Sequence, residues 1–210
     1  MRPQRIFLIR HGESEGNKNN ARYHDTPDFA LKLTPTGVEQ ARNAGLTLRA
    51  QLADEGVHVY LSPLHRTRET FAAIRDAIDS NITKAVEDPR IREQDWGHLR
   101  HPDDNRIVRK QRDAFSPFYF RIPNGESGAD VYDRVSGFLD TLHRDFEKPD
   151  YPPNALIVSH GLAIRLFLMR WFHWTVEEFE QLRNPSNCQI ITLQKEPDQR
   201  YRLAGEIARY

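Results

Sequence analysis

An α/β fold, with helices packed on both faces of a mainly parallel sheet in a three-layer sandwich, is what this sequence predicts, and three observations predict it. Ile6-Phe7-Leu8-Ile9, Val57-His58-Val59-Tyr60-Leu61 and Ala155-Leu156-Ile157-Val158 are apolar runs too short for helices and rich in β-branched and aromatic residues, as buried strands are. Segments with apolar residues at steps of three and four alternate with these runs, which is the βα pattern of a parallel sheet. The chain has 210 residues, enough for a sizeable core, and shows no internal repeat, low-complexity tract or composition shift. Residues 1–210 therefore read as one domain.

The elements follow in order. After the strand at residues 6 to 9, residues 18 to 33 are polar and mixed and read as irregular structure at the mouth of a crevice. Thr34 caps a helix with Pro35 in its first position, and Val38, Ala41, Gly45, Leu48 and Leu52 form its apolar face until Gly56 ends it. Following the second strand, Ser62-Pro63 opens a helix that carries His65, Arg66 and Arg68 in its first turns and buries Phe71, Ile74 and Ile78. A strand is expected at residues 83 to 87. Residues 98 to 126 lack a clean period; they hold a basic run (Arg100, Arg106, Arg109, Lys110, Arg112) and an aromatic knot (Phe115, Phe118, Tyr119, Phe120). They read either as a solvated helix packed through its aromatics or as a lid that sets substrate choice. Pro123-Asn124-Gly125 breaks the segment. Val131, Val135, Phe138 and Leu142 then mark a long helix ending near Phe146, and a Pro- and Asp-rich loop leads to the strand at 155 to 158. An apolar helix from Leu162 to Trp174 and a strand from Gln189 to Leu193 complete the reading.

Composition removes several function classes. Lys plus Arg and Asp plus Glu balance at 30 each, so bulk charge predicts no nucleic-acid or membrane partner, and any affinity for anions must come from local clustering. The single Cys188 excludes an internal disulfide and a thiolate-only metal site. With a strand beginning by residue 6 and no long apolar run, the chain reads as soluble and cytoplasmic. A glycine-rich phosphate loop, a dinucleotide fingerprint, a nucleophile elbow and His-x-x-x-His spacing are all missing from the expected positions, so no cofactor and no metal are expected. His24, His58, His65, His98, His101, His143 and His173 read as surface or packing residues.

What remains is polar chemistry at three strand ends. Arg10 and His11 follow the first strand, Arg66 enters the helix after the second, and Ser159-His160-Gly161 ends the fourth; in open α/β sheets ligands bind at such C-terminal strand edges. Taken alone, Arg66 is equally a surface cation and His160 a core histidine. Together, two guanidinium forks and two imidazoles match the oxygens of a phosphoryl group, with Asn17 and the N–H groups near Gly12 and Gly16 as further donors.

Arg10-His11-Gly12-Glu13-Ser14-x-x-Asn17, Leu33-Thr34-Pro35-x-Gly37, Ser62-Pro63-Leu64-x-Arg66-x-x-x-Thr70, Glu93 before Trp96-Gly97, Gly125-Glu126-Ser127 and Ser159-His160-Gly161 occur in an order that resembles the histidine phosphatase (phosphoglycerate mutase-like) superfamily, from about residue 5 to about residue 195. The resemblance implies that His11 accepts the phosphoryl group, that Arg10, Arg66 and His160 neutralise its oxygens, that Asn17 donates a further hydrogen bond and that Glu93 is the general acid. Gly161 belongs to the same phosphate-binding turn. One strand running opposite to the rest is also implied.

Phosphatases and mutases of that family share these motifs. Its glycolytic mutases carry Trp-Asn after Glu-Ser and a Tyr-Gly-x-Leu-x-Gly-Leu stretch after the acid, where this chain has Gly16-Asn17 and His98-Leu99-Arg100-His101. The expectation is a metal-independent phosphomonoesterase acting through a phosphohistidine on a small phosphorylated metabolite. A phosphoglycerate mutase-type phosphotransferase is the alternative, and a phospho-ligand-binding module without turnover a third reading. Tyr23, His24, Arg22 and Arg100 with the rest of the basic run are placed to meet a second acidic group on the substrate. Oligomeric state is not legible in the chain.

Overall fold

Alternation along the buried strands decides the layers. The computed structural model describes residues 2–97 and 102–210. In chain order the elements are β1 (Arg5–Arg10), α1 (Glu15–Lys18), α2 (Arg22–Asp25), α3 (Pro35–Leu52), β2 (Val57–Leu61), α4 (His65–Ile78), β3 (Ile82–Glu87), α5 (Pro102–Phe115), α6 (Gly128–Phe146), β4 (Asn154–Ser159), α7 (Gly161–Phe172), α8 (Val176–Glu180), β5 (Ile190–Lys195) and β6 (Tyr201–Ala204). Ile6 and Leu8 of β1 point to one face, with Ala155, Ile157 and residues of α6 and α7 such as Val135, Phe138, Leu166 and Phe167. Phe7 and Ile9 point to the other, with Val57, Val59, Leu156, Val158 and residues of α3 and α4 such as Leu48 and Ile74. Two cores on one sheet make the three-layer sandwich.

The six strands run in the order β3-β2-β4-β1-β5-β6. β3, β2, β4 and β1 are parallel, β5 is antiparallel to β1, and β6 is antiparallel to β5, so β5 is the reversed strand. The ends of β1 and β4 lie side by side with Arg10 opposite Ser159. The ladder extends past both ends: His11 N–H donates to the Ser159 carbonyl (3.0 Å) and Ser62 N–H to that of Val158 (3.0 Å). Three strand ends are thereby fixed to one another. Among the described residues no helix is long and apolar enough to cross a membrane.

Several boundaries differ from the sequence reading. Thr34 does cap α3 through Gly37 N–H (3.1 Å), but Ala53, at φ 51°, stops that helix and Gly56 lies beyond it. α4 starts at His65, with Leu64 as its N-cap, whose side chain has no polar atom to make a cap bond. A serine capping box at Ser127 starts α6 at Gly128, and His173 in the left-handed region (φ 56°) ends α7 before Trp174. Residues 18 to 33 include the short helix α2 and a 3-10 turn at Asp28–Ala30. α5 is largely solvated, but it is not packed through its aromatics, since Phe115 at its end is exposed. Of the aromatic knot only Phe118 is buried, while Phe115 and Tyr119 are exposed. α8 and β6 carry too little periodic signal to be read from sequence.

Candidate active site

The loop after β1 is shaped by close backbone packing. A Cβ on Gly12 would come within 2.4 Å of the Gly37 carbonyl oxygen, and one on Gly37 within 2.1 Å of that of Glu13, so the loop lies directly on the start of α3. Thr34 N–H donates to the Glu13 carbonyl (2.9 Å), its hydroxyl to the Glu13 carboxylate (2.6 Å), and Glu13 N–H to Gln40 Oε1 (2.9 Å). Gly12 N–H donates to Thr70 Oγ1 (3.0 Å), whose hydroxyl donates to the Arg66 carbonyl (2.6 Å). The first three sequence motifs are one hydrogen-bonded unit.

His11 is 4% exposed and His160 fully buried, and their ring centroids are 5.1 Å apart, tilted by 58°. Nδ1 of His11 is 2.8 Å from the Gly12 carbonyl, which can only accept, so Nδ1 carries the proton and Nε2 keeps its lone pair. Burial, then the charges of Arg66 and Arg10, holds the His11 pKa well below the usual imidazole value. Burial, Arg66 and His11 do the same to His160. Both rings are neutral at neutral pH. His160 forms the N-cap of α7 without a side-chain cap bond, so the helix N-terminus adds partial positive charge beside it.

Arg66 is 2% exposed and grips Asp28: Nη1 donates to the Asp28 carbonyl (2.7 Å) and Oδ1 (3.0 Å), Nη2 to Oδ2 (3.3 Å). Arg10 donates from Nη1 to the Pro185 carbonyl (2.7 Å), and its buried Nε has no partner among the described residues. Asn187 Nδ2 lies between the His11 carbonyl (2.9 Å) and Asn17 Oδ1 (3.2 Å). Asn17 Oδ1 also accepts from Ser14 N–H (3.1 Å) in a capping box, which leaves its amide nitrogen as the uncommitted end. Gly161 fits because Asn184 closes over it; a Cβ there would come within 2.7 Å of the Asn184 side chain.

Tyr23 packs on Gly16, and its hydroxyl is within electrostatic reach of Arg66, Asp28, Glu93 and Arg109. His24 is half-buried with an unpartnered Nδ1, and no contact joins it to the two imidazoles. Arg100 lies outside the described residues. Within the basic run Arg109 and Arg112 stack on Trp96, 5.1 and 5.6 Å from its ring centroid, while Arg106 pairs with Asp103. Asp28, Asn187 and Asn184 went unrecognised as site residues in the sequence, because each is brought in by a loop contact that no local pattern announces, and Ser62, at the end of β2, was read only as the opening of a helix.

Glu93 is half-buried, and its charge acts on Arg10, Tyr23, Arg112 and Arg165. Its backbone is clamped by Arg134, which donates to the carbonyls of Arg90 (2.7 Å), Arg92 (2.8 Å) and Glu93 (3.0 Å). The other edge of that guanidinium is held bidentately by Glu126 (3.0 and 2.9 Å), which also accepts Asp95 N–H (3.0 Å). The Gly125-Glu126-Ser127 motif thus locks the segment that carries Glu93.

Comparison with known proteins follows this geometry. Residues 6–204 match the family model described as the histidine phosphatase superfamily (branch 1). The chain is 43% identical to the phosphoglycerate mutase-like protein AT74 of Arabidopsis thaliana over 96% of its length and 68% of that protein. It is 31% identical to the broad-range acid phosphatase DET1 of Saccharomyces cerevisiae, covering 92% of this chain and 86% of that one. Its fold is similar to that of a mycobacterial glucosyl-3-phosphoglycerate phosphatase in complex with VO3, with a TM-score of 0.75 and 23% identity over 98% of this chain and 99% of the other. With nearly all of its length matched, the chain belongs to the histidine phosphatase superfamily, branch 1.

Proposed function

We propose that this protein is a metal-independent phosphomonoesterase that hydrolyses a small phosphorylated metabolite through a phosphohistidine on His11. One observation carries the reading: a buried, neutral imidazole whose Nδ1 proton is fixed by the Gly12 carbonyl (2.8 Å) keeps a lone pair on Nε2, within electrostatic reach of Arg66 and Arg10 and with a second imidazole 5.1 Å away. The Nε2 lone pair attacks phosphorus as the P–O bond to the leaving group breaks, and Glu93 supplies the proton that the departing alkoxide needs. Arg10, Arg66, His160 and Asn17 stabilise charge on the equatorial oxygens. Water then attacks the phosphohistidine and gives its proton to the Glu93 carboxylate. The P–N bond breaks with its electron pair returning to Nε2. With the Nδ1 proton in place the phosphorylated ring is an imidazolium, and it leaves phosphorus as the neutral imidazole.

A phosphatase is favoured by the 31% identity to an acid phosphatase over most of both chains. The test is phosphate release from aryl phosphates, sugar phosphates, fructose bisphosphates and phosphoglycerates with chelator present, while transfer between substrate positions is followed in parallel. Release with chelator supports the proposal; transfer without release overturns it in favour of a mutase. His11→Ala should abolish both turnover and acid-labile labelling of the protein by a 32P substrate, and wild-type rates in that variant would remove His11 as the nucleophile.

A further inference from the structure

His160 raises a question that its neighbours answer. Its pKa is held well below the usual imidazole value by burial, Arg66 and His11, so it carries a single ring proton at neutral pH. That proton is on Nδ1 or on Nε2. Nε2 is 2.7 Å from the Ser62 hydroxyl oxygen, and Nδ1 is buried with no hydrogen-bond partner among the described residues.

Ser62 can be read as donor or acceptor from its own surroundings. Its Oγ receives a long N–H from Leu64 (3.5 Å), and among the described residues Nε2 of His160 is the one acceptor its hydroxyl proton reaches. Both residues are buried, at 0% exposure, where a hydroxyl proton without an acceptor costs about 1–3 kcal/mol. Donation from Ser62 removes that cost, and it requires a lone pair on Nε2. The ring proton then belongs to Nδ1, so one buried group, Nδ1–H, is left without a partner among the described residues, where the reverse arrangement leaves two, the Ser62 hydroxyl proton and the Nδ1 lone pair. The reverse arrangement would turn the Nδ1 lone pair toward an anionic phosphoryl oxygen and repel it.

We propose that Ser62 is a positioning residue: its hydroxyl keeps the proton of His160 on Nδ1, so that His160 meets a phosphoryl oxygen as a hydrogen-bond donor. The serine is well fixed for this purpose. Its N–H donates to the Val158 carbonyl (3.0 Å), continuing the β2–β4 ladder, and its own carbonyl accepts the Thr67 hydroxyl (2.8 Å). Its hydroxyl is therefore set by the same strands that deliver His160. Its oxygen faces across the sheet edge to β4. What Nδ1–H meets rests on the phosphotransfer reading; where the proton resides does not.

Long-range 1H–15N correlation spectra of 15N-histidine-labelled protein locate the proton directly, with the His160 signals assigned by their loss in His160→Asn. The wild-type protein should show a protonated Nδ1 and a bare Nε2. Ser62→Ala should shift His160 toward the other tautomer and lower kcat on an aryl phosphate roughly 10- to 100-fold, the loss of one charge-assisted hydrogen bond, with little change in KM. Ser62→Thr, which keeps the hydroxyl, should restore both. A protonated Nε2 in the wild-type protein overturns the proposal even if Ser62→Ala does not fold, as does a Ser62→Ala protein with unchanged tautomer and kcat. A wild-type protein with Nδ1–H and no phosphate release from any phosphomonoester would uphold the proton assignment and remove the phosphoryl ligand.

Discussion

Replacing Asp28 with asparagine should make the protein bind inorganic phosphate more tightly. Both Nη groups of Arg66 are directed at Asp28, at 2.7 to 3.3 Å, so an oxyanion that needs this guanidinium competes with a carboxylate already there. Asp28 is 44% exposed and Arg66 2%, so the pair lies between a surface bridge, worth about 0.2–1 kcal/mol, and a buried one. Taking about 1 kcal/mol for the charge that asparagine removes, the Ki of phosphate as a product inhibitor should fall about fivefold. Asparagine keeps the backbone bond from Arg66 Nη1 to the residue 28 carbonyl, so the fold should be retained. The assay is competitive inhibition by phosphate at fixed ionic strength, with calorimetric titration as a second reading. A Ki that is unchanged or raised would refute the competition and make Asp28 a partner that holds Arg66 in its working position.

Three other outcomes follow from the geometry. Glu93→Gln should slow alkyl phosphates far more than aryl phosphates, since only the poorer leaving group needs the proton; equal losses would argue against Glu93 as the acid. Glu126→Ala leaves the Arg134 guanidinium, 11% exposed, and Arg92 without their shared carboxylate and should cost about 3 kcal/mol in urea unfolding, whereas a loss under about 1 kcal/mol would show that water compensates. The pKa values of His11 and His160 are lowered on folding, so the unfolded chain binds more protons below its own value of 6.5. Stability from these two groups is full above that pH and is lost as pH falls through it; the urea midpoint should drop from about pH 7.5 to about pH 5.5, and less so in a His11→Asn, His160→Asn variant. Identical pH profiles for the two proteins would contradict the neutral imidazoles.

Legibility in the sequence followed the range of the interactions. Strands such as Ile6 to Ile9 are apolar on both faces because helices cover both, and that is visible in four letters. Arg10, His11, Arg66 and His160 were legible because each falls at the end of a run that could be read, and the sheet then brings those ends together. Glu93 was found through the motif that it resembles, since no periodic element surrounds it. Partners supplied by loops were not legible: Asp28 reaches Arg66 across 38 residues, and Asn187 reaches His11 across 176. Ser62 was read only as the opening of a helix, for a local reason. A serine before proline is a common helix opener, and only the adjacency of β2 and β4 reveals that its hydroxyl has a better use.

The same long-range contacts explain how the site can hold cations and neutral imidazoles at once. Guanidiniums near a buried imidazole push its proton off, but they attract carboxylates that would restore it. The backbone limits that attraction: Arg10 is tied to the Pro185 carbonyl and Arg134 to the carbonyls of Arg90, Arg92 and Glu93, so two of the cations are oriented largely by neutral dipoles. Arg134 also carries a carboxylate, Glu126, on the edge that faces Asp95 and Arg92. Arg66 is the exception, with Asp28 across it, and there the carboxylate is the more exposed partner, on a turn held by few contacts. Even with that pair in place, Arg66 remains the largest cationic influence on both imidazoles. The arrangement keeps the His11 ring neutral as pH falls. Arg10 lies within electrostatic reach of both His11 and Glu93, so a cation that keeps the imidazole neutral also faces the carboxylate proposed as the acid.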